Sequence, residues 1–186
     1  SENLFVNKYA INPLEYKVVY AGNVGMLQNV DIIVDTAIRL RSKENLAFYI
    51  IGDGAYKDKI VRRAERENLS NIKFYPMQDS ALATHIYSMA DINIIPLMKD
   101  IIKVAMPSKT ATCLAVAKPI VACVGKGSCF FQMMRNCDKC EVIDSEDSEA
   151  LAELIMKYYN NNVRDKSENA YDIFNAYFSR EKNVNM

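Results

Sequence analysis

The chain has 186 residues, half of them hydrophobic, which suits one domain with its own core and is too short for two large domains. Lysine plus arginine and aspartate plus glutamate each number 23, so no basic surplus predicts nucleic acid binding. No apolar run is long enough to cross a bilayer, and residues 1–10 lack the order of a signal peptide. We therefore expect a soluble, cytoplasmic chain.

Strand-like and helical patterns alternate along the chain. Residues 1–16 look like an entering segment that follows a preceding domain, and we expect them to pack as a helix. The predicted strands are 17–22, 46–52, 71–75, 91–95, 120–124 and 141–143. The predicted helices are 29–40, 56–68, 80–89, 109–117, 129–135, 148–159 (capped by Ser145 or Asp147) and 168–178. Residues 179–186 are predicted to form a tail.

The strands are continuously apolar and do not alternate between apolar and polar residues, which is typical of a parallel sheet covered on both faces. The sequence thus predicts an α/β, doubly wound, Rossmann-like domain over residues 17–178. Ligands bind such sheets at the carboxyl ends of the strands. The loops to consider are 22–29, 52–55, 75–78 and 96–110.

The segment 106–122 is the most informative, because a helix there begins beside the carboxyl end of a strand. Pro107 suits a first helical turn, and Ser108 can accept a hydrogen bond from an unpaired N–H group there. Lys109 and Thr110 follow in the same turn. Lys109 and Lys103 could be ordinary surface charges, but a lysine in a first turn opposes the helix dipole and favours a bound anion. The segment predicts a phosphate site.

Two glycine turns follow the first two strands. Gly22, Asn23 and Gly25 either contact phosphate or form a strand-to-helix turn that needs unusual backbone angles. Gly52, Asp53 and Gly54 are first of all a turn, in which Asp53 either caps the next helix or contacts a ligand.

Neither a metal nor a cofactor is predicted. The five cysteines, which are Cys113, Cys123, Cys129, Cys137 and Cys140, lack the spacing of a zinc site and are expected to be reduced. His85 is predicted to pack against its neighbours and not to act as a base. Asp91 opens a buried strand, and we assign it no metal-binding role. The G-x-G-x-x-G fingerprint is absent after Tyr20, which argues against an NAD-binding enzyme.

Six short motifs follow one another in a characteristic order: YAGNVG (20–25), IIGDGAYKDKI (50–60), IKFYPM (72–77), ADINIIPL (90–97), MPSK (106–109) and LAVAKPIVA (114–122). As an ordered set they resemble the carboxyl-terminal domain of family 4, or group 1, glycosyltransferases of the bacterial cell-surface polysaccharide type. The resemblance implies one half of a GT-B fold that binds a nucleotide-diphosphate sugar and supports transfer with retention. It implies that an amino-terminal domain supplies the acceptor site and the catalytic histidine, so that this fragment holds no catalytic residue. Any membrane association would come through that domain or the acceptor.

The resemblance also assigns residues. The diphosphate would contact Gly22, Asn23, Gly25, Gln28, Pro107, Ser108, Lys109 and Thr110, and the ribose and base would contact Thr112, Tyr75 and Met77. Two departures concern charge: the family usually has arginine and lysine where this chain has Asn23 and Gln28, and two glutamates where it has Val104 and Thr112. A degenerate nucleotide-binding module and part of a sugar-nucleotide epimerase remain as alternatives.

Overall fold

A computed structural model of the chain describes residues 2–99, 108–125 and 129–178. Its sheet has six parallel strands: β1 (Tyr16–Ala21), β2 (Leu46–Ile51), β3 (Ile72–Tyr75), β4 (Ile92–Pro96), β5 (Ile120–Cys123) and β6 (Cys140–Ile143). The spatial order is β3-β2-β1-β4-β5-β6, with every neighbouring pair parallel. The predicted doubly wound, Rossmann-like class is confirmed.

Helices connect the strands and cover both faces of the sheet. They are α1 (Leu4–Tyr9), α2 (Asp31–Arg39), α3 (Lys57–Arg66), α4 (Ala83–Met89), α5 (Lys109–Val116), α6 (Cys129–Arg135), α7 (Ser148–Asn160) and α8 (Ala170–Phe178). The predicted helix 29–40 begins later than expected, because residues 26–28 form a short 3-10 turn and Asn29 has a left-handed backbone with φ of 44°. Of the two predicted caps for α7, Asp147 is the one that accepts a hydrogen bond from Ala150 N, at 2.8 Å.

The alternation of side chains along β1 divides the core into two layers. Tyr16, Val18 and Tyr20 pack on the face covered by α2, α3 and α7, whereas Val19 and Ala21 pack with α4, α5 and α8 on the other face. All six residues of β1 are buried, as expected for a central parallel strand. The predicted helix in the entering segment is α1: Asn3 caps it, and Phe5 is buried against Tyr75.

The ends of the strands define two sides of the molecule, which we call the amino end and the carboxyl end of the sheet. At the amino end, Asp91 accepts a hydrogen bond from Lys17 N at 2.7 Å and pairs with Arg164 at 3.2 Å. The Glu15 carboxylate pairs with Lys73 at 2.5 Å and accepts a hydrogen bond from the Tyr49 hydroxyl.

A third stabilising contact at the amino end is a disulfide bond. Cys137 and Cys140 form a disulfide across the turn between α6 and β6, with Cα atoms 5.1 Å apart. The expectation that all five thiols are reduced was therefore wrong for this pair, because the turn brings two residues that are three apart within bonding distance. Cys113 and Cys123 are free and buried.

Some predictions fall outside the described residues. These concern Lys103, Val104, Pro107 and the tail 179–186, together with most of the loop 96–110. Within the described ranges, no helix combines the length and the apolar character that a bilayer crossing requires.

Candidate anion and nucleotide site

The strand order reverses between β1 and β4, which opens a crevice at the carboxyl end of the sheet. Gly22 follows β1 there, and α5 begins nearby with Lys109. A Cβ atom at position 22 would lie 3.2 Å from Lys109 Nζ, and the backbone of Gly22 has φ of +137°, which favours glycine. A side chain at position 22 would therefore push the lysine away from the first glycine loop.

The Lys109 ammonium is the central group of the site. Its Nζ atom is buried and has no hydrogen-bond partner among the residues that the structure describes. It lies 4.0 Å from the centre of the Tyr20 ring. Burial lowers the pKa of Lys109 to about 8, because removal from water disfavours the charged form. The site thus holds a cation whose charge an incoming anion would satisfy.

The start of α5 provides further donors. Ser108 occupies the N-cap position but makes no capping hydrogen bond, so the prediction that its oxygen serves the first-turn N–H groups was wrong. Its backbone is helical at φ −56° and ψ −30°, whereas a side-chain cap normally needs an extended backbone. Thr110 is fully buried, and its hydroxyl lacks a hydrogen-bond partner in the described part of the chain. The anion site that the sequence predicts at 108–110 therefore has unsatisfied polar groups on Lys109 and Thr110.

The two glycine loops pack against each other. A Cβ atom on Gly52 would lie 1.8 Å from Gly22 O, and one on Gly54 would lie 2.5 Å from Val24 O. Val24 N donates to Asp53 O at 2.9 Å across the same contact. Gly52 and Gly54 are therefore required first for this packing, which corresponds to the turn interpretation of the sequence.

Asp53 connects the second glycine loop to the loop 75–78. Its carboxylate accepts hydrogen bonds from Met77 N and from Lys57 Nζ, each at 2.6 Å. These bonds lower the pKa of Asp53, the lysine bond being the larger cause. The predicted helix cap was wrong, because α3 begins only after Tyr56, too far along the chain for Asp53 to serve its first turn.

Other predicted residues lie around the first loop. Asn23 is exposed, and Gly25 precedes the short turn 26–28 that contains Gln28. Gln28 N donates to Gly25 O at 3.1 Å. Thr112 is partly buried on α5, three residues beyond Lys109 and thus on the same side of the helix.

A cavity of about 240 Å³ lies beside this loop, between the strand ends and α4. Its lining is mostly apolar and consists of Ala21, Gly22, Ile51, Met77, Gln78, Asp79, Ser80, Ala83, Ile86 and Tyr87. Met77 is half-exposed at its mouth. Tyr75 is not part of the lining, because its ring packs with Phe5, Tyr9 and Tyr49. The cavity has the size and character for one planar ring.

Three further sequence predictions concern residues away from these loops. His85 accepts a hydrogen bond from Leu4 N at 3.3 Å, which agrees with a packing role. Asp91 belongs to the amino end. Among the described residues, no group of three or more histidine, cysteine, aspartate or glutamate side chains could hold a metal ion.

Sequence reasoning missed two tyrosines at this end. The Tyr20 hydroxyl donates to Asn23 O at 2.5 Å, and the Tyr87 hydroxyl donates to Ala21 O at 3.0 Å. Burial raises the pKa of both hydroxyls, so both remain protonated donors. A signal that could have identified Tyr20 is its position two residues before Gly22, which starts the first glycine loop.

The fold is a Rossmann-like domain with a candidate anion site at the carboxyl end of its sheet, and comparison with known sequences identifies the family. Residues 15–161 match the sequence profile of the glycosyl transferases group 1 family, and the chain belongs to that family. The putative colanic acid biosynthesis glycosyl transferase WcaI of Escherichia coli K12 is 30% identical over 99 residues, which make up 53% of this chain and 24% of the relative. The chain thus spans about a quarter of the length of this curated relative.

Solved structures agree on the fold. The carboxyl-terminal domain of LpcC, a group 1 glycosyl transferase from Francisella tularensis, aligns with a TM-score of 0.75 and 14% identity over 97% of this chain and 94% of that one. Anabaena HepE, solved with UDP-glucose, aligns with a TM-score of 0.78 and 13% identity over 94% of this chain and 48% of HepE. The fold is that of one domain of GT-B glycosyltransferases.

Proposed function

We propose that the chain is the donor-binding half of a retaining glycosyltransferase and that it binds a nucleotide-diphosphate sugar. The observation that carries the proposal is the buried Lys109 ammonium, which lies against Gly22 without a hydrogen-bond partner among the described residues. A buried charge without a counterion is costly, and a diphosphate supplies the missing anion. HepE, which was solved with UDP-glucose, supports this class of ligand.

The site suggests how donor binding serves transfer. When the bond between the anomeric carbon and the phosphate breaks, negative charge grows on the leaving diphosphate. Lys109 and the N–H groups at the start of α5 would stabilise that charge more strongly than the charge of the intact donor. The base would enter the cavity beside Met77, and the ribose would lie near Thr112.

The acceptor site and the catalytic base would belong to an amino-terminal domain. The near-complete match to the separate LpcC domain supports the division into two halves, and the name of WcaI supports a role in cell-surface polysaccharide or lipopolysaccharide synthesis. We expect this fragment to bind donor in the cytoplasm without turnover. The whole enzyme would reach the inner membrane only through its other domain or its acceptor.

Calorimetry at pH 7 with UDP, GDP, UMP and pyrophosphate tests the proposal. The diphosphates should bind more tightly than UMP, and Lys109→Ala should weaken UDP binding by about 1 to 3 kcal/mol. Lys157→Ala, which removes an exposed lysine of α7, is the control and should change nothing. If none of these ligands gives heat at millimolar concentration, the proposal fails and the degenerate-module alternative is favoured.

A gain-of-function variant tests the neutral positions of the first loop. Asn23→Arg combined with Gln28→Lys restores the charges that the family usually has there. It should tighten UDP binding and make it more sensitive to salt, because exposed charges are screened by ions. Asn23→Ala should cost less than Lys109→Ala. Unchanged affinity in the double variant would show that this loop does not face the diphosphate.

A further inference from the structure

Tyr20 touches both parts of the candidate anion site. Its ring lies under the Lys109 ammonium at 4.0 Å, close enough for a strong cation–π contact. Its hydroxyl donates to the carbonyl oxygen of Asn23 at 2.5 Å. One buried side chain thus contacts the cation of the site and the backbone of the first glycine loop.

The same strand provides a natural comparison, because Tyr16 lies four residues earlier on the same face of β1. Its hydroxyl donates to Val163 O at 2.8 Å, and the Arg164 guanidinium lies 5.2 Å from its ring. Arg164 also pairs with Asp91. Lys109 has no such carboxylate among the described residues, although its arrangement with Tyr20 is otherwise alike. Asp91 is the anion that pairs with Arg164. An external anion could take the corresponding position beside Lys109.

We propose that Tyr20 is a positioning residue of this anion site: its ring holds the Lys109 ammonium against Gly22, and its hydroxyl occupies the Asn23 carbonyl oxygen. This inference rests on the proposed function and extends it. A free carbonyl oxygen in the loop would repel a phosphate, so the hydroxyl removes a repulsive group while the ring fixes an attractive one. In this arrangement Lys109 supplies the positive charge of the anion site, while the first glycine loop carries the neutral residues Asn23 and Gln28.

The titratable groups near the Tyr20 ring and Lys109 stay neutral at physiological pH. Cys113, one turn further along α5, is buried, which raises the pKa of its thiol to about 12. Burial likewise raises the pKa of the Tyr20 and Tyr87 hydroxyls. These groups are neutral near pH 7 and supply no counterion, whereas the electron-rich face of the Tyr20 ring attracts the ammonium.

Three variants separate the two contacts, with pyrophosphate as the probe in calorimetry from pH 6 to 10. Tyr20→Phe keeps the ring and loses the hydroxyl, and should weaken binding about threefold with an unchanged pH midpoint. Tyr20→Leu loses both contacts, and should weaken binding about tenfold or more and move the midpoint to lower pH, because the charged amine loses its π partner. Tyr16→Phe is the matched control and should bind pyrophosphate as the wild type does.

The pH midpoint distinguishes positioning from a structural role, which would lower stability without moving the titration of Lys109. Folding of each variant is checked by circular dichroism. If Tyr20→Leu does not fold, pentafluorophenylalanine at position 20 keeps the ring shape and reverses its charge distribution, with the same expected shift relative to Tyr20→Phe. A midpoint that does not move in either variant overturns the proposal, as does binding by Tyr20→Leu that equals wild type.

The outcome does not depend on the proposed function alone. The titration of Lys109 can be followed directly in protein labelled with ¹³C-lysine, without any ligand, and Tyr20→Leu should lower its pKa. If the wild type binds neither pyrophosphate nor UDP, the proposed function fails, and this titration still tests the contact between Tyr20 and Lys109. A pKa that is the same in both proteins refutes that contact.

Discussion

Charged side chains are paired at the amino end of the sheet, whereas a buried lysine at the carboxyl end is unpaired in the described part of the chain. At the amino end, Asp91 is paired with Arg164, and Glu15 is paired with Lys73. At the carboxyl end, the Lys109 ammonium is buried without a hydrogen-bond partner among the described residues. Unpaired neutral groups occur at both ends, since the side-chain oxygen of Asn71 at the amino end also lacks a hydrogen-bond partner among the described residues. The contrast in charge supports the proposal that the amino end stabilises the fold and that the carboxyl end binds an anion.

The largest effect on stability is expected at the amino end. Asp91→Ala removes the hydrogen bond to Lys17 N and the partner of Arg164, and should lower the free energy of unfolding by about 2 to 3 kcal/mol. Arg164 is partly exposed, so water compensates for some of its lost pairing. Urea denaturation measures the change, and Asp165→Ala at an exposed neighbour is the control. Pyrophosphate affinity should stay the same; a large loss would mean that the two ends are coupled.

At the carboxyl end, removal of the charge should have the opposite effect on stability. Lys109→Met replaces a buried cation by an apolar side chain of similar length, and should raise the free energy of unfolding at pH 7 by about 1 to 3 kcal/mol while it weakens pyrophosphate binding. Urea denaturation and calorimetry measure the two effects. A methionine variant that is less stable than wild type at pH 7 would show that the ammonium has a hydrogen-bond or ion-pair partner in the folded chain.

The pH dependence of this difference follows from the lowered pKa of Lys109, which is about 8 in the folded chain against an ordinary value of 10.5. Between these values the unfolded chain binds more protons than the folded chain, so stability of the wild type rises with pH. The advantage of Lys109→Met should therefore be full below pH 8 and shrink as the pH approaches 10.5. An advantage that stays constant across this window would contradict the lowered pKa.

Anion binding should depend on the same proton. Because the charged amine is the form that attracts phosphate, pyrophosphate affinity of the wild type should fall about tenfold between pH 7 and pH 9. Calorimetry in buffers of different ionisation heat also detects the proton taken up on binding. Lys118, whose amine lies at the amino end and donates to Arg164 O, provides the control: Lys118→Met should leave this pH profile unchanged.

The smallest effect is expected at Asp53, which is exposed and connects two loops. Asp53→Ala loses the hydrogen bond to Met77 N and should loosen the cavity in which we propose that the base binds. UDP affinity should fall about two- to fivefold, whereas pyrophosphate affinity should not change. Asp58→Ala, at an exposed position in the first turn of α3, is the control. Equal losses for both ligands would place Asp53 near the phosphates.

Much of the fold could be predicted because the strands are continuously apolar, and each observed strand begins and ends within one residue of the predicted range. The boundary of α2 could not, since the left-handed backbone of Asn29 depends on tertiary contacts that include a hydrogen bond to Ser145 O. The disulfide was missed because the spacing of Cys137 and Cys140 fits both a bonded pair and two thiols. Tyr20 was missed for a related reason: a tyrosine in an apolar strand resembles a core residue, as Tyr16 and Tyr49 are, until its partners are known.

The position of two tyrosines on one strand has a consequence for evolution. Tyr16 and Tyr20 are four residues apart, which corresponds to about 13 Å along β1. The Asp91 carboxylate beside Arg164 neutralises the cation at the Tyr16 end, so little net charge there acts on Lys109 at the other end. Descendants of this domain could therefore change the residues around Lys109 while the paired charges at the amino end continue to stabilise the fold.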